Sequence, residues 1–318
     1  MTSRPLLVTI VSVGFLSVFG AGCSLPSASS LRQALGASDG SSSSTSGKEL
    51  TGPKPANFDG LSPSQAAQKI AFVGGDVIVM HQGFTGIGGQ LAQKLGFGGS
   101  AGERDIVVRS FAPLNTAAIE WKLSAKVTPN PKDHADTGNR QTTGSLVNAK
   151  LQSAHKLYLP GYWPQTTDKD ALDTSLIWLS SQVYADLTKN KVTTLDLGVT
   201  DESLSKSFSG SADIKSAVDK IREQAGVAGA HTDLYTMTAD EQPSTMTLKI
   251  NDKDVTVQVL KARNWFGEIT VLDSKTNPLV LDVTLNPLML AAADATTGSS
   301  FVQTALGYHI TELKDIQE

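Results

Sequence analysis

The chain holds one cysteine, Cys23, in 318 residues. An intrachain disulfide is therefore impossible, and zinc sites built from several cysteines are excluded. Positive charge is not in excess. The 27 basic and 31 acidic side chains leave a net charge of −4, which argues against a nucleic-acid-binding face. After residue 22 no run approaches the ~18 apolar residues that a helix needs to cross a bilayer. The glycine-rich stretch from Gly83 to Gly102 contains neither a complete dinucleotide fingerprint nor a P-loop, and reads as a loop or a partner contact. Aromatic residues are scarce, at 6%, so a local cluster of them stands out. What remains is a chain that is 40% hydrophobic and long enough to bury a core without a covalent or metal staple.

The strongest local pattern lies at the start. Arg4 precedes an apolar run from Leu6 to Phe19, followed by the small residues Gly20, Ala21 and Gly22 and then Cys23. Residues 1–22 with Cys23 resemble a bacterial lipoprotein signal peptide and its lipobox. The resemblance implies cleavage before Cys23 and acylation of its sulfur. Each buried methylene adds ~0.8 kcal/mol, and two or more acyl chains anchor a protein stably to a membrane without spanning it. Ser24 follows the cysteine where the family places Asp for inner-membrane retention, so the resemblance favours the outer membrane in a diderm cell envelope.

Residues 23–55 are read as a tether. Ser41-Ser42-Ser43-Ser44-Thr45-Ser46-Gly47 carries no apolar period and cannot bury enough surface to offset its ordering entropy. Residues 56–318 are read as a single domain of α+β class. It is β-rich, with largely antiparallel hairpins in a meander and a few short helices. The stretch 129–144 is expected to be a long loop, an insertion or a boundary. A helix is expected to open at Ser62-Pro63-Ser64-Gln65, where Ser62 and Gln65 form a capping box, and to end at Gly74-Gly75. Asp76–Met80, Ile106–Val108, Ala118–Val127, Ser175–Leu179 and Thr193–Leu197 read as strands. Ser181 is expected to cap a short helix running through Leu187, and Ser211–Gln224 reads as a longer helix. Two hairpins follow, turning at Asn251-Asp252-Lys253 and at Ser274–Asn277, and Tyr308–Leu313 adds a last strand.

Candidate chemistry is sparse. Tyr158, Tyr162 and Trp163, within Tyr158–Pro164, form the densest aromatic patch. It reads either as a loop closing the core or as a binding surface for envelope proteins or glycans. Asp136-Thr137-Gly138, Asp173-Thr174-Ser175 and Asp273-Ser274 faintly resemble aspartic-protease signatures. Only 37 residues separate Asp136 from Asp173, too few for a lobe of that family. No two of the five histidines share a spacing that would place them on one helix or strand face, and His81 reads as a core histidine. No catalytic residue, metal ligand or cofactor is assigned. The expectation is a lipid-anchored envelope protein acting as a non-catalytic binding or structural module. The alternatives are an aspartic-protease-like envelope hydrolase and a carrier of an apolar ligand in a β-barrel pocket.

Overall fold

The computed structural model describes residues 53–83, 102–126, 139–171, 173–198, 236–264, 267–286 and 307–318. All belong to one compact unit, Leu50–Glu318. Two helices and fourteen strands are found among them: α1 (Pro63–Lys69), β1 (Val77–Gln82), β2 (Gly102–Ala112), β3 (Thr116–Lys126), β4 (Asn139–Lys150), β5 (Lys156–Tyr158), β6 (Lys169–Asp170), α2 (Ser181–Lys189), β7 (Val192–Thr194), β8 (Asp196–Gly198), β9 (Thr236–Ala239), β10 (Ser244–Ile250), β11 (Lys253–Arg263), β12 (Gly267–Leu272), β13 (Val280–Leu285) and β14 (Tyr308–Lys314). The protein is β-rich. Among the described residues no helix is long and apolar enough to cross a membrane.

Strands β10 to β14 close a five-stranded barrel. The hairpin β10–β11 turns on two residues, Asn251 and Asp252, both at positive φ (49° and 66°). That geometry matches the right-handed twist of the flanking strands, and Asn and Asp tolerate it better than most side chains. Strands β11, β12, β13 and β14 then pair antiparallel in turn. Closure comes from a short parallel contact of β10 with β14, Lys249 with Glu312 and Ile250 with Leu313. The meander expected from the hairpins is thus rolled up and sealed by a strand more than 60 residues away in sequence. On the barrel strands Leu248, Ile250, Val257, Ile269, Val283 and Ile310 are buried to 1% exposure or less.

The other edge of β14 carries a second run of strands, β1, β2, β3, β4 and the two-residue β6. Its period-two pattern is plain in β3, where Ala117, Ile119 and Trp121 are buried and Glu120 is exposed. The segment before α2 fills the core beneath. Trp178 is fully buried and meets Phe72 and Phe111 at centroid distances of 6.0 and 5.2 Å. Its Nε1–H donates to Asn277 Oδ1 at 2.9 Å, and Asn277 Nδ2 donates to the carbonyl of Ile70 at 3.0 Å. The one polar atom of the largest core side chain is therefore satisfied by a buried amide that is itself satisfied.

Helix α1 has the expected cap: Gln65 N–H donates to Ser62 Oγ at 3.3 Å and Ser62 N–H to Gln65 Oε1 at 2.9 Å. It ends at Lys69, before Gly74-Gly75, because Ile70 turns extended and is buried. Helix α2 is capped by Ser180, one residue earlier than expected. Ser175–Leu179 is no strand. Leu176 adopts φ +57°, and the segment is buried on all sides, so its apolar run signals burial without regular pairing. Thr193–Leu197 splits into β7 and β8, which pair in different sheets. The loop expected over 129–144 is overturned from Asn139 onward, where β4 begins and pairs along β3. The expected helix Ser211–Gln224 lies outside the described residues.

Candidate functional site

At one end of the β1–β2 pair the strand alternation turns a charged residue inward. Arg104, Ile106 and Val108 share the buried face of β2, and Arg104 stands opposite Met80 of β1. Arg104 is 3% exposed. Its Cζ lies 4.2 Å from the centroid of the Trp121 ring and 5.1 Å from that of Trp163, and the two indoles are 6.2 Å apart. The cation is caged between aromatic faces, whose quadrupoles attract it more strongly once water is excluded.

Each wall of the cage has a local cause. Trp121 sits on the buried face of β3 and lies across Gly144, its partner in β4. A Cβ at Gly144 would come within 2.8 Å of the Trp121 ring and 2.5 Å of the Pro164 carbonyl, so the glycine makes the close approach possible. Trp163 follows the 3-10 turn Pro160–Tyr162, and its Nε1–H donates to the carbonyl of Tyr158 at 2.7 Å. Gln82, the last residue of β1, is buried and accepts a hydrogen bond from Arg104 Nη2 on Oε1 at 2.9 Å.

The electrostatics are unbalanced. Among the described residues no carboxylate is paired with the guanidinium. Burial lowers the pKa of Arg104 to about 9, well below the usual guanidinium range, so it keeps its charge at neutral pH. Nε and Nη1 of Arg104 and Nε1 of Trp121 have no hydrogen-bond partner among the described residues. Buried donors are nearly always satisfied, so unspent donors gathered in one cage are an exception that asks for an acceptor. The cage is also near an edge. Gln82 pairs with Gly102 in the final rung of the β1–β2 ladder, and Arg104 is two residues further in.

Of the aromatic residues proposed from sequence, Trp163 is 4% exposed and is a wall of this cage. Tyr158 is half-buried against the core, and the side chain of Tyr162 lies outside the described residues. Trp163 thus faces Arg104 and Trp121, not solvent. Sequence reasoning missed Arg104, Trp121 and Gln82, although the parity of Arg104 with Ile106 and Val108 was a usable signal.

The carboxylate candidates separate. Asp173 sits at φ +55° on an exposed turn, 2.8 Å from Lys150 Nζ, and the hydrogen bond from that ammonium holds its carboxyl below the usual range. That is the reverse of a proton-sharing dyad. Asp273 ties elements together: the Tyr184 hydroxyl and Gln258 Nε2 donate to its carboxylate, and Gln68 Nε2 to its carbonyl. Asp136 and Cys23 lie outside the described residues, as do His134 and His231. His81 is a correction. Its side chain is 48% exposed, because it follows buried Met80 and precedes buried Gln82 on β1 and so points outward. The letters Gly98-Gly99-Ser100-Ala101-Gly102 also spell Gly-x-Ser-x-Gly. A nucleophile elbow needs a helix after the serine, whereas here Gly102 begins β2.

Comparison of the chain with family models, with curated proteins and with solved structures finds no match.

Proposed function

We propose that this chain is a lipid-anchored cell-envelope protein whose folded body is a non-catalytic binding module, and that the Arg104–Trp121–Trp163 cage receives an acidic group of its partner. The anchor part rests on Gly20, Ala21, Gly22 and Cys23. The binding part rests on one observation: a buried, charge-bearing guanidinium with two nitrogens unpartnered among the described residues, beside an indole N–H in the same condition. A carboxylate or phosphate oxygen entering the cage satisfies those donors and neutralises the charge, a combination worth more in a dry site than in water. Flanking indoles suit a ligand with an apolar or sugar body behind its acidic group.

In this reading the body is α+β in class, with antiparallel hairpins dominating its ladders. Helix α1 packs on β11, and α2 on β7 and β9. A tether of the length of residues 24–47 spans ~25–30 Å root-mean-square and holds the body clear of the lipid. The hydrolase alternative draws no support from Asp173, which is ionised and held by a lysine. The carrier alternative draws none from a barrel of five strands. Eight are needed before a lumen is wide enough to do more than pack its own side chains.

Two measurements test the reading. Labelled palmitate enters the wild-type protein in growing cells and is absent from Cys23→Ala; equal labelling overturns the anchor. Glucuronate and inorganic phosphate, titrated separately, change the tryptophan fluorescence of the wild-type body saturably and leave Arg104→Met unchanged. Identical titrations of the two proteins overturn the cage as the binding element.

A further inference from the structure

On the outer face of the same strands, four side chains stand in one row. Glu103 of β2 is paired with His81 of β1, His81 with His309 of β14, and His309 with Asp282 of β13. Direct cross-strand partners share a face and hold their Cβ atoms about 4.5–5.5 Å apart. The two imidazoles are therefore neighbours, although 228 positions separate them in sequence. Each has one ring nitrogen engaged by a carboxylate: His81 Nε2 is 3.0 Å from Glu103 Oε2, and His309 Nδ1 is 3.1 Å from Asp282 Oδ2. Asp282 is itself fixed, since Thr284 Oγ1 donates to its Oδ1 at 2.8 Å.

We infer that His81 and His309 form an open two-histidine site for a divalent transition-metal ion. An ionised carboxylate only accepts, so it selects the tautomer with the proton on the nitrogen that it holds. That leaves the lone pairs on Nδ1 of His81 and Nε2 of His309, the ring nitrogens that neither of these two contacts uses. A carboxylate behind each ligating imidazole is the arrangement that orients metal-bound histidine and raises its basicity. The two carboxylates also offset the charge of an arriving cation. Among the described residues no three His, Cys, Asp or Glu side chains could hold a metal ion together, so the protein supplies at most two ligands here. The other positions belong to water or to a ligand from outside. Paired imidazole nitrogens favour Cu2+ over Ni2+ and Zn2+, and do not suit Mg2+ or Ca2+. The inference does not rest on the acidic-group reading above, because it uses the opposite face and other side chains.

The test titrates Cu2+, with Zn2+ and Mg2+ in parallel, into the untagged folded body. Binding is followed by calorimetry and by the nitrogen hyperfine pattern of bound Cu2+ in electron paramagnetic resonance. One equivalent of Cu2+ binds with two coupled imidazole nitrogens, Zn2+ binds more weakly, and Mg2+ gives no heat. His81→Gln and His309→Gln each weaken Cu2+ at least tenfold and reduce the coupling to one nitrogen or none. Glu103→Gln weakens it by about tenfold while keeping two nitrogens, as loss of an outer-shell partner does. His81 and His309 are exposed or half-exposed, and unchanged circular dichroism of their variants shows that folding is retained. Cu2+ binding that is equal in the wild type and both histidine variants overturns the site, as does a wild-type signal without nitrogen coupling.

Discussion

If the guanidinium of Arg104 is held in its cage for a ligand, it is a burden on the empty protein, and removing it correctly stabilises the fold. Burial lowers its pKa to about 9, which sets ~5 kcal/mol against the charged form relative to the neutral one. Stacking on Trp121 and Trp163 returns ~2 kcal/mol. The hydrogen bond to Gln82 returns about 1.5 kcal/mol. Roughly 1–2 kcal/mol of net cost remains on these figures. Arg104→Met alone leaves the buried Gln82 oxygen without its donor, so the informative variant is Arg104→Met with Gln82→Leu, which removes both polar groups. That double variant unfolds at higher urea concentration than the wild type, by about 1–2 kcal/mol at pH 7 when followed by circular dichroism. The sign with pH is fixed. The folded pKa lies below the unfolded one, so the cost is fully present below about 9 and is relieved as pH rises above it. The gap between the two proteins is flat from pH 6 to 8 and narrows above pH 9. A double variant less stable than the wild type by more than ~1 kcal/mol would refute the reasoning, because the guanidinium would then be a net structural support.

Two further outcomes follow from single side chains. Gly144→Val places a Cβ 2.5 Å from the Pro164 carbonyl and 2.8 Å from the Trp121 ring, so backbone and indole must both shift. It lowers stability by about 2–3 kcal/mol and alters the Trp121 and Trp163 emission; wild-type stability and emission would show that the close packing is unimportant. Tyr308 is fully buried, its hydroxyl has no partner among the described residues, and burial together with Asp282 pushes its pKa well above 10. The unfolded phenol ionises near pH 10 while the folded one does not, so its contribution is present below pH 10 and is lost as pH rises further. Tyr308→Phe is neutral or up to ~1 kcal/mol stabilising at pH 7, and its alkaline unfolding limb moves to higher pH. A loss above 2 kcal/mol in a pH series of urea midpoints would contradict this account.

What the sequence made legible was local. The Ser62–Gln65 cap needs only four residues, and the hairpin at Asn251-Asp252 announces itself by two residues tolerant of positive φ between alternating strands. The β-rich character followed from the same signals. Barrel closure was hidden, because the contact of Lys249 and Ile250 with Glu312 and Leu313 leaves no mark on either segment. Strand β4 was hidden by composition: Thr142, Thr143 and Gly144 resemble loop residues until Trp121 is known to need a neighbour without a side chain. Arg104 was hidden by its neighbours, since Glu103-Arg104-Asp105 looks wet on every side until the parity with Ile106 separates one charge from the other two. The pairing of His81 with His309 is a property of topology, and no spacing rule applied along the chain can find it.

The two sites are bound together by that same parity. His81 and Gln82 are consecutive, as are Glu103 and Arg104, and strand alternation sends one of each pair outward to the histidine row and the other inward to the cage. A one-residue slip of β1 against β2 would exchange the faces and destroy both. The pairing of His81 with Glu103 therefore fixes the same register that places Gln82 at the guanidinium of Arg104. An ion held between His81 and His309 ties β1 to β14, the strand that belongs to the barrel, and so steadies the ladder from which the cage is built. Any such coupling must be reciprocal: if a bound metal tightens the hold on an acidic group, the acidic group tightens the hold on the metal by the same factor.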